Sequence, residues 1–315
     1  MKRFMLFLSV IFAYPTSLFS EDFINNPAYI AQKGFGSSQT EAENAALASL
    51  SKFFQMSIAV EAKEYTTVTN AASQSTMSED ISVKSETDLF AVHYTKAKFD
   101  KKQKLYEVTA YIDREEGWRI YKPRLEEAIR PFEKFYSDAQ NQSEPILQIV
   151  GFSKALKSAR ETELSKKCDF AMILNPDEMT FYEQSRENLS ELQPRIRKLC
   201  SKCSVFISCE TDYENRIEQA VAAYFSACGI SVSKNENSTY KVIVTVNENS
   251  QTLPAGMFFT PSYKFEIIGD GNIFFSCAKE LKKTGAKNEA VAKQRAFSAV
   301  ATSIKQNLNE EFASF

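Results

Sequence analysis

Apolar residues change their spacing twice along this 315-residue chain, and those two changes limit the fold more tightly than any other feature. From Arg114 to about Leu199 the spacing is helical: Trp118, Tyr121, Leu125, Ile129, Phe132 and Phe135 recur every three or four residues. On either side, stretches that alternate with a period of two are interleaved with helical ones. Helices lying on a layer of strands would bury both kinds of stripe at once. The expected class is therefore α+β: two α/β sandwich-like domains with mixed or antiparallel sheets, joined by a helical connector. The boundaries fall at residues 21–113, 114–202 and 203–315, after a leader at residues 1–20.

In the first domain, Tyr29 to Lys33 predicts a short strand closed by a tight turn at Gly34 and Gly36. Glycine at such a turn serves unusual dihedral angles. A helix then opens at Ser38 or Thr40, with Ala42, Ala45, Ala46, Leu50, Phe53 and Phe54 on one stripe. Ser57 to Ala62 alternates and predicts a strand. Tyr65 to Asp88 is rich in Ser and Thr and predicts an exposed arm suited to contacts. Leu89 to Phe99 and Leu105 to Ile112 predict a hairpin around the polar turn Asp100 to Lys104.

In the connector, Pro123 and Pro131 predict either two short helices or one kinked helix. Ile146–Leu164 and Phe181–Leu199 give two further helices. The last domain reads as a strand at Ser204–Ser208, a helix from Asp212 stopped by Gly229, and strands at Ile230–Val232 and Tyr240–Val246. A hairpin follows, turning at Gly269 to Asn272, and a final helix opens at Lys287 or Asn288. A glycine before a small-residue helix face occurs in both domains, at Gly34 and at Gly285. The match is short, and convergent helix-on-sheet packing explains it without common descent.

The first residues carry an address. Lys2 and Arg3 precede the apolar run Phe4–Ala13, and Ser20 stands before Glu21 and Asp22. That is the layout of a secretory signal, with cleavage after Ser20. Leu18 departs from the small residue usual two positions earlier, which keeps an uncleaved anchor open. The first cysteine is Cys168, so the sequence offers no lipid-bearing cysteine after the leader. The mature chain is therefore expected outside the cytoplasm. The 38 basic and 40 acidic residues are interspersed, which gives no nucleic-acid footprint.

Six cysteines, Cys168, Cys200, Cys203, Cys209, Cys228 and Cys277, lie in an exported chain, which predicts structural disulfides of open pairing. Cys200 and Cys203 form a C-x-x-C pair at a helix end. Redox and zinc readings of it compete with the structural one, but it lacks the preceding strand of a redox motif and a second ligand pair. His93, the only histidine, lies in a predicted strand with no nucleophile context. Asp113, Glu115, Glu116, Asp212 and Glu214 sit where helices begin, as acids do without catalysis. No catalytic residue, cofactor or metal site is expected, and the chain reads as a non-enzyme.

The stretch from Gly34-Phe35-Gly36-Ser37 through Glu41–Phe54 to Ser57–Val60, with Tyr106–Arg114, resembles the Lpp-twenty lipoprotein family over about residues 29–120. That resemblance implies an envelope-associated structural role, with some members similar to flagellar outer-membrane ring and disc components. The expected function is a non-enzymatic periplasmic or outer-membrane-associated assembly protein of the bacterial envelope. Its expected partners are envelope proteins or further copies of itself, with peripheral outer-membrane contact. The alternative is a ligand- or lipid-binding accessory module of an envelope transport system.

Overall fold

The computed structural model describes residues 22–69 and 89–312. The leader and most of the predicted arm lie outside the described residues. The fold is α+β. Among the described residues no helix is long and apolar enough to cross a membrane. Two compact units form, one from residues 22–53 and 89–117, the other from residues 54–69 and 118–312. The predicted connector and the C-terminal domain thus belong to one body. Lys154 pairs with Glu311 at 2.8 Å, and the backbone N–H of Ile146 donates to the Tyr240 hydroxyl at 3.2 Å.

In the first unit, β1 (Tyr29–Gly36), β2 (Val92–Tyr94) and β3 (Lys98–Asp100) all pair antiparallel with β4 (Leu105–Asp113). The register Ile30↔Ile112 and Gly34↔Val108 gathers Ile30, Gly34, Val108, Ala110 and Ile112 on one buried face. Helix α1 (Gln39–Thr69) lies on that face through Ala42, Ala46 and Leu50, each without exposed surface. A Cβ on Gly34 would stand 2.0 Å from the Ala46 nitrogen and 2.3 Å from the Ala42 oxygen. Gly34 and Gly36 are thus strand residues paired with β4, not a turn. They are glycine because a helix backbone passes where a side chain would be.

Two further readings of the predicted first domain are corrected. Ser57–Ala62 is helical, since α1 runs on to Thr69. No Gly or Pro interrupts the chain between Leu50 and Thr69, and propagating a formed helix costs less than starting a strand. Val60, at 53% exposure, has no sheet to join. The Leu89–Phe99 strand is two short strands, β2 and β3. Between them the Thr109 N–H donates to the Thr95 hydroxyl oxygen at 3.0 Å, a side chain replacing a ladder carbonyl.

The second unit begins with helices. α2 (Arg114–Gln140) crosses both prolines as one helix, because Tyr121, Leu125, Ile129, Phe132 and Tyr136 stay buried while Pro123 faces solvent. Burying that stripe outweighs roughly 3 kcal/mol per interior proline. α3 (Pro145–Glu161) and α4 (Leu164–Leu174) follow. Next come the single turn α5 (Pro176–Met179), a 3-10 turn (Thr180–Tyr182) and α6 (Glu183–Cys200). The short apolar run of α4 escaped the sequence reading. Its Phe170 stacks on Phe54 with ring centroids 4.8 Å apart.

The sheet of this unit has the order β10-β8-β7-β5-β6, with β9 also on β8. Its strands are β5 (Ser204–Cys209), β6 (Ser231–Ser233), β7 (Tyr240–Leu253), β8 (Gly256–Gly269), β9 (Asn272–Glu280) and β10 (Thr284–Ala286). β5 runs parallel to β6 and β7, and the remaining pairs are antiparallel. Helices α7 (Arg216–Ala227) and α8 (Glu289–Glu311) pack on the sheet, with the Tyr263 hydroxyl 3.0 Å from that of Ser303. α7 starts at Arg216 rather than Asp212, because Glu214 and Asn215 have positive φ. The Asp212 carboxylate instead accepts from the Ile217 and Glu218 N–H groups. Asn288 caps α8 as predicted.

These contacts set a test. Gly34→Ala should cost roughly 2–4 kcal/mol in urea unfolding, since the helix must move away from the sheet. Gly271→Ala, with nothing within 4 Å of the new Cβ but φ at +77°, should cost only about 1 kcal/mol. Equal losses would contradict the close-approach reading.

Candidate functional site

The chemistry of each unit can be built from its strands outward. In the first, the register Tyr29↔Asp113, Ala31↔Tyr111 and His93↔Tyr111 turns one set of side chains away from α1. Phe23 stacks on Tyr111 at 4.1 Å between centroids, and Tyr29 meets both rings edge-on. The His93 ring lies 5.5 Å from that of Tyr111, and its Nε2 is 2.8 Å from a Glu116 carboxylate oxygen. Farther along the same face, Lys33 reaches Glu107 at 2.6 Å and Phe35 is 48% exposed. This face is amphipathic: aromatic rings in half-buried contact, bordered by charges at hydrogen-bond distance.

His93 is thus held by a carboxylate at a strand surface. Asp113 accepts from the Glu116 N–H at 2.9 Å and so caps α2. Glu214 binds Arg216 through two guanidinium contacts of 3.1 and 2.6 Å. Asp113, Glu116, Asp212 and Glu214, four of the acids singled out in the sequence, thus have structural partners.

In the second unit all six cysteines are free thiols, which corrects the expectation of disulfides. Cys168, Cys200, Cys203 and Cys228 are buried, and Cys209 and Cys277 half-buried. Their even number in an exported chain had pointed to bridges, yet they occupy apolar core positions, a common place for cysteine. Burial pushes the Cys200 thiol up to about 12, with Cys228 and Cys203 nearby adding to it, and Cys203 up to about 11. Cys168 and Cys209 are likewise pushed up to about 12 by burial. A redox thiol at a helix amino terminus would be shifted the other way. Cys200 instead ends α6, where the Cys203 thiol approaches the Leu199 carbonyl at 3.3 Å. Among the described residues no cluster of His, Cys, Asp and Glu could hold a metal.

The sequence reading missed two features here. One is a polar seam between α2 and α6. The Tyr182 hydroxyl donates to Glu126 at 2.8 Å, Ser185 to Glu133, and Arg195 to the Tyr136 hydroxyl. Lys122 meets Glu178 at 3.0 Å in the same unit. The spacing of Lys122, Glu126 and Glu133 along one helix face was the available signal. The other is a groove of about 440 Å³ lined by Ala220, Ala223, Tyr224, Ala227, Cys228, Lys305 and Asn309.

The thiols carry a pH test. A neutral thiol whose folded pKa lies above its unfolded value stabilises the fold below the unfolded pKa, and that contribution is lost as pH rises towards the folded one. Urea midpoints should therefore hold between pH 6.5 and 8 and fall between about pH 9 and 11. A thiol of the native protein that reacts with iodoacetamide at pH 7.5 as fast as in urea would contradict the burial account.

No family model matches the chain, and neither does any curated protein. The Lpp-twenty resemblance accordingly rests on the residues quoted from the sequence. Among solved structures, a secreted protein of Helicobacter pylori is similar at 13% identity and a TM-score of 0.34, covering 89% of this chain and 98% of its own. A minor lipoprotein of Acinetobacter baumannii is similar at 15% identity and a TM-score of 0.27, covering 34% of this chain and 90% of its own. A lipoprotein of Neisseria meningitidis is similar at 15% identity and a TM-score of 0.24, covering 33% of this chain and 99% of its own. By their descriptions these are secreted proteins or lipoproteins, to which this chain bears a distant likeness.

Proposed function

We propose that the protein is an exported, non-enzymatic component of the bacterial cell envelope that works by binding other proteins. The observation that carries this reading is the amphipathic sheet face around Phe23, Tyr29, Phe35, His93 and Tyr111. Aromatic side chains with charged neighbours are the usual makeup of a contact patch. Three things support it further: the leader-like residues Lys2 to Ser20, thiols held protonated by burial, and acids already engaged as caps. A flagellar link belongs to the same proposal through the Lpp-twenty resemblance alone.

Phe35→Ser combined with Phe23→Ser tests the reading. Phe35 is half-exposed and Phe23 lies on the outer face away from α1, so the double variant should keep its helical circular dichroism while its recovery in the envelope fraction falls several-fold. Unchanged recovery would remove the face from the account. A second reading, an accessory module for an apolar ligand or lipid, draws on the groove between α7 and α8, whose size is in the range of small-molecule sites. Native mass spectrometry of the purified chain should then show a retained mass that Ala223→Trp displaces. A clean apo mass would set that reading aside.

A further inference from the structure

The β7–β8 ribbon is much longer than the sequence pattern indicates, and its extension has one unpaired side. β5 pairs with β7 only from Tyr240 to Val244. From Asn247 to Leu253 the strand pairs with β8 alone, and all seven of these residues are exposed. Roughly half of their backbone N–H and C=O groups point away from β8, as in any antiparallel edge. Natural edges are guarded by lysine, proline, bulges or short length. Here the register runs without a shift from Lys241↔Ile268 to Leu253↔Gly256, and the segment Asn247-Glu248-Asn249-Ser250-Gln251-Thr252-Leu253 holds no proline, no lysine and a single charge.

The other edges are guarded. β6 has three residues. β9 carries Lys279 and Glu280 and has a register shift opposite Ile267 and Ile268. β1 carries Lys33.

We propose that two copies of this chain pair through the outer edge of β7, antiparallel and centred on Ser250, to form one sheet continuous across both. The proposal deepens the reading of the protein as one that works through protein contacts, and it commits to a second copy because the segment is complementary to itself. Full overlap of two antiparallel copies places Asn249 opposite Gln251, Asn247 opposite Leu253 and Glu248 opposite Thr252. The single charge meets a hydroxyl, so no like charges face each other. Ser250 meets its own copy, and Asn249 faces Gln251, whose side-chain oxygen already accepts from Lys283 of its own chain at 2.9 Å and so is held in place for the pairing. An edge of this composition also suits stacking of like strands.

Position 252 gives a test with opposite signs. In a dimer Thr252→Glu creates two Glu–Glu pairs across the seam, and Thr252→Lys creates two Glu–Lys pairs. Position 252 is exposed and faces Met257 within its own chain, so either change leaves the fold intact. Sedimentation velocity on the purified exported chain should show a dimer. Thr252→Glu should weaken association roughly tenfold and Thr252→Lys strengthen it by a similar factor. Ser250→Cys should give a covalent dimer under mild oxidation that the parent chain does not.

A parent chain that is monomeric at every concentration would overturn the pairing, and so would two Thr252 variants that shift the equilibrium in the same direction. If such a monomer still partitions to the envelope, the broader function stands and only the pairing fails. Loss of envelope partitioning by a chain that remains dimeric would separate the two the other way. Capture of a strand from a different protein would appear as a monomer in isolation together with a Ser250→Cys crosslink to that protein in cells, and it too overturns the pairing of copies.

Discussion

The first unit depends on how closely a helix can lie on a strand. Gly34 and Gly36 remove the side chains that would hold α1 away from β1, and Ala42 and Ala46 remove those on the helix. The Ala46 backbone therefore sits where a Cβ would otherwise be. Once the helix is seated, Ile30, Val108, Ala110 and Ile112 are sealed beneath it, and the opposite side chains of the same strands face away from it. A sheet packed from one side leaves its other face and its edges for contacts, and those are the features that carry the functional reading here.

The same economy of small residues recurs in the second unit, where Ala292 and Ala296 of α8 are buried and Gly285 of β10 lies against Phe258. The chemistry of this unit is turned inward. Cysteines fill core positions, tyrosine hydroxyls such as that of Tyr224 donate to backbone carbonyls, and burial raises the pKa values of both. Groups held in this way stabilise a fold and are slow to react. What remains on the outside is shape, a few aromatic rings and the backbone edge of a long strand.

Much of this was legible in the residues. The α+β class, the antiparallel hairpin at Asp100–Lys104, the Asn288 cap and the Gly269–Asn272 turn follow from local chemistry, and the structure shows each of them. Three failures have physical causes. Ser57–Ala62 has a strand's alternation, but a helix without a breaker keeps growing. Gly34 and Gly36 were read as serving unusual dihedrals, whereas tertiary closeness dictates them, and no local signal reports that. The strand from Asn247 to Leu253 is polar on both faces, so it has no period to detect. The clue was the turn Pro254-Ala255 between it and the apolar Met257–Phe259. The aromatic face was equally hidden, because Phe23, His93 and Tyr111 come together only through pairing across β4.

The central claim is that the protein acts outside the cytoplasm through its surfaces. Crosslinking in intact cells, followed by mass spectrometry, addresses it most directly. The account predicts crosslinks from residues of the β1–β4 face, Lys33 among them, to envelope proteins or to a second copy of the chain. Crosslinks confined to cytosolic proteins would contradict it.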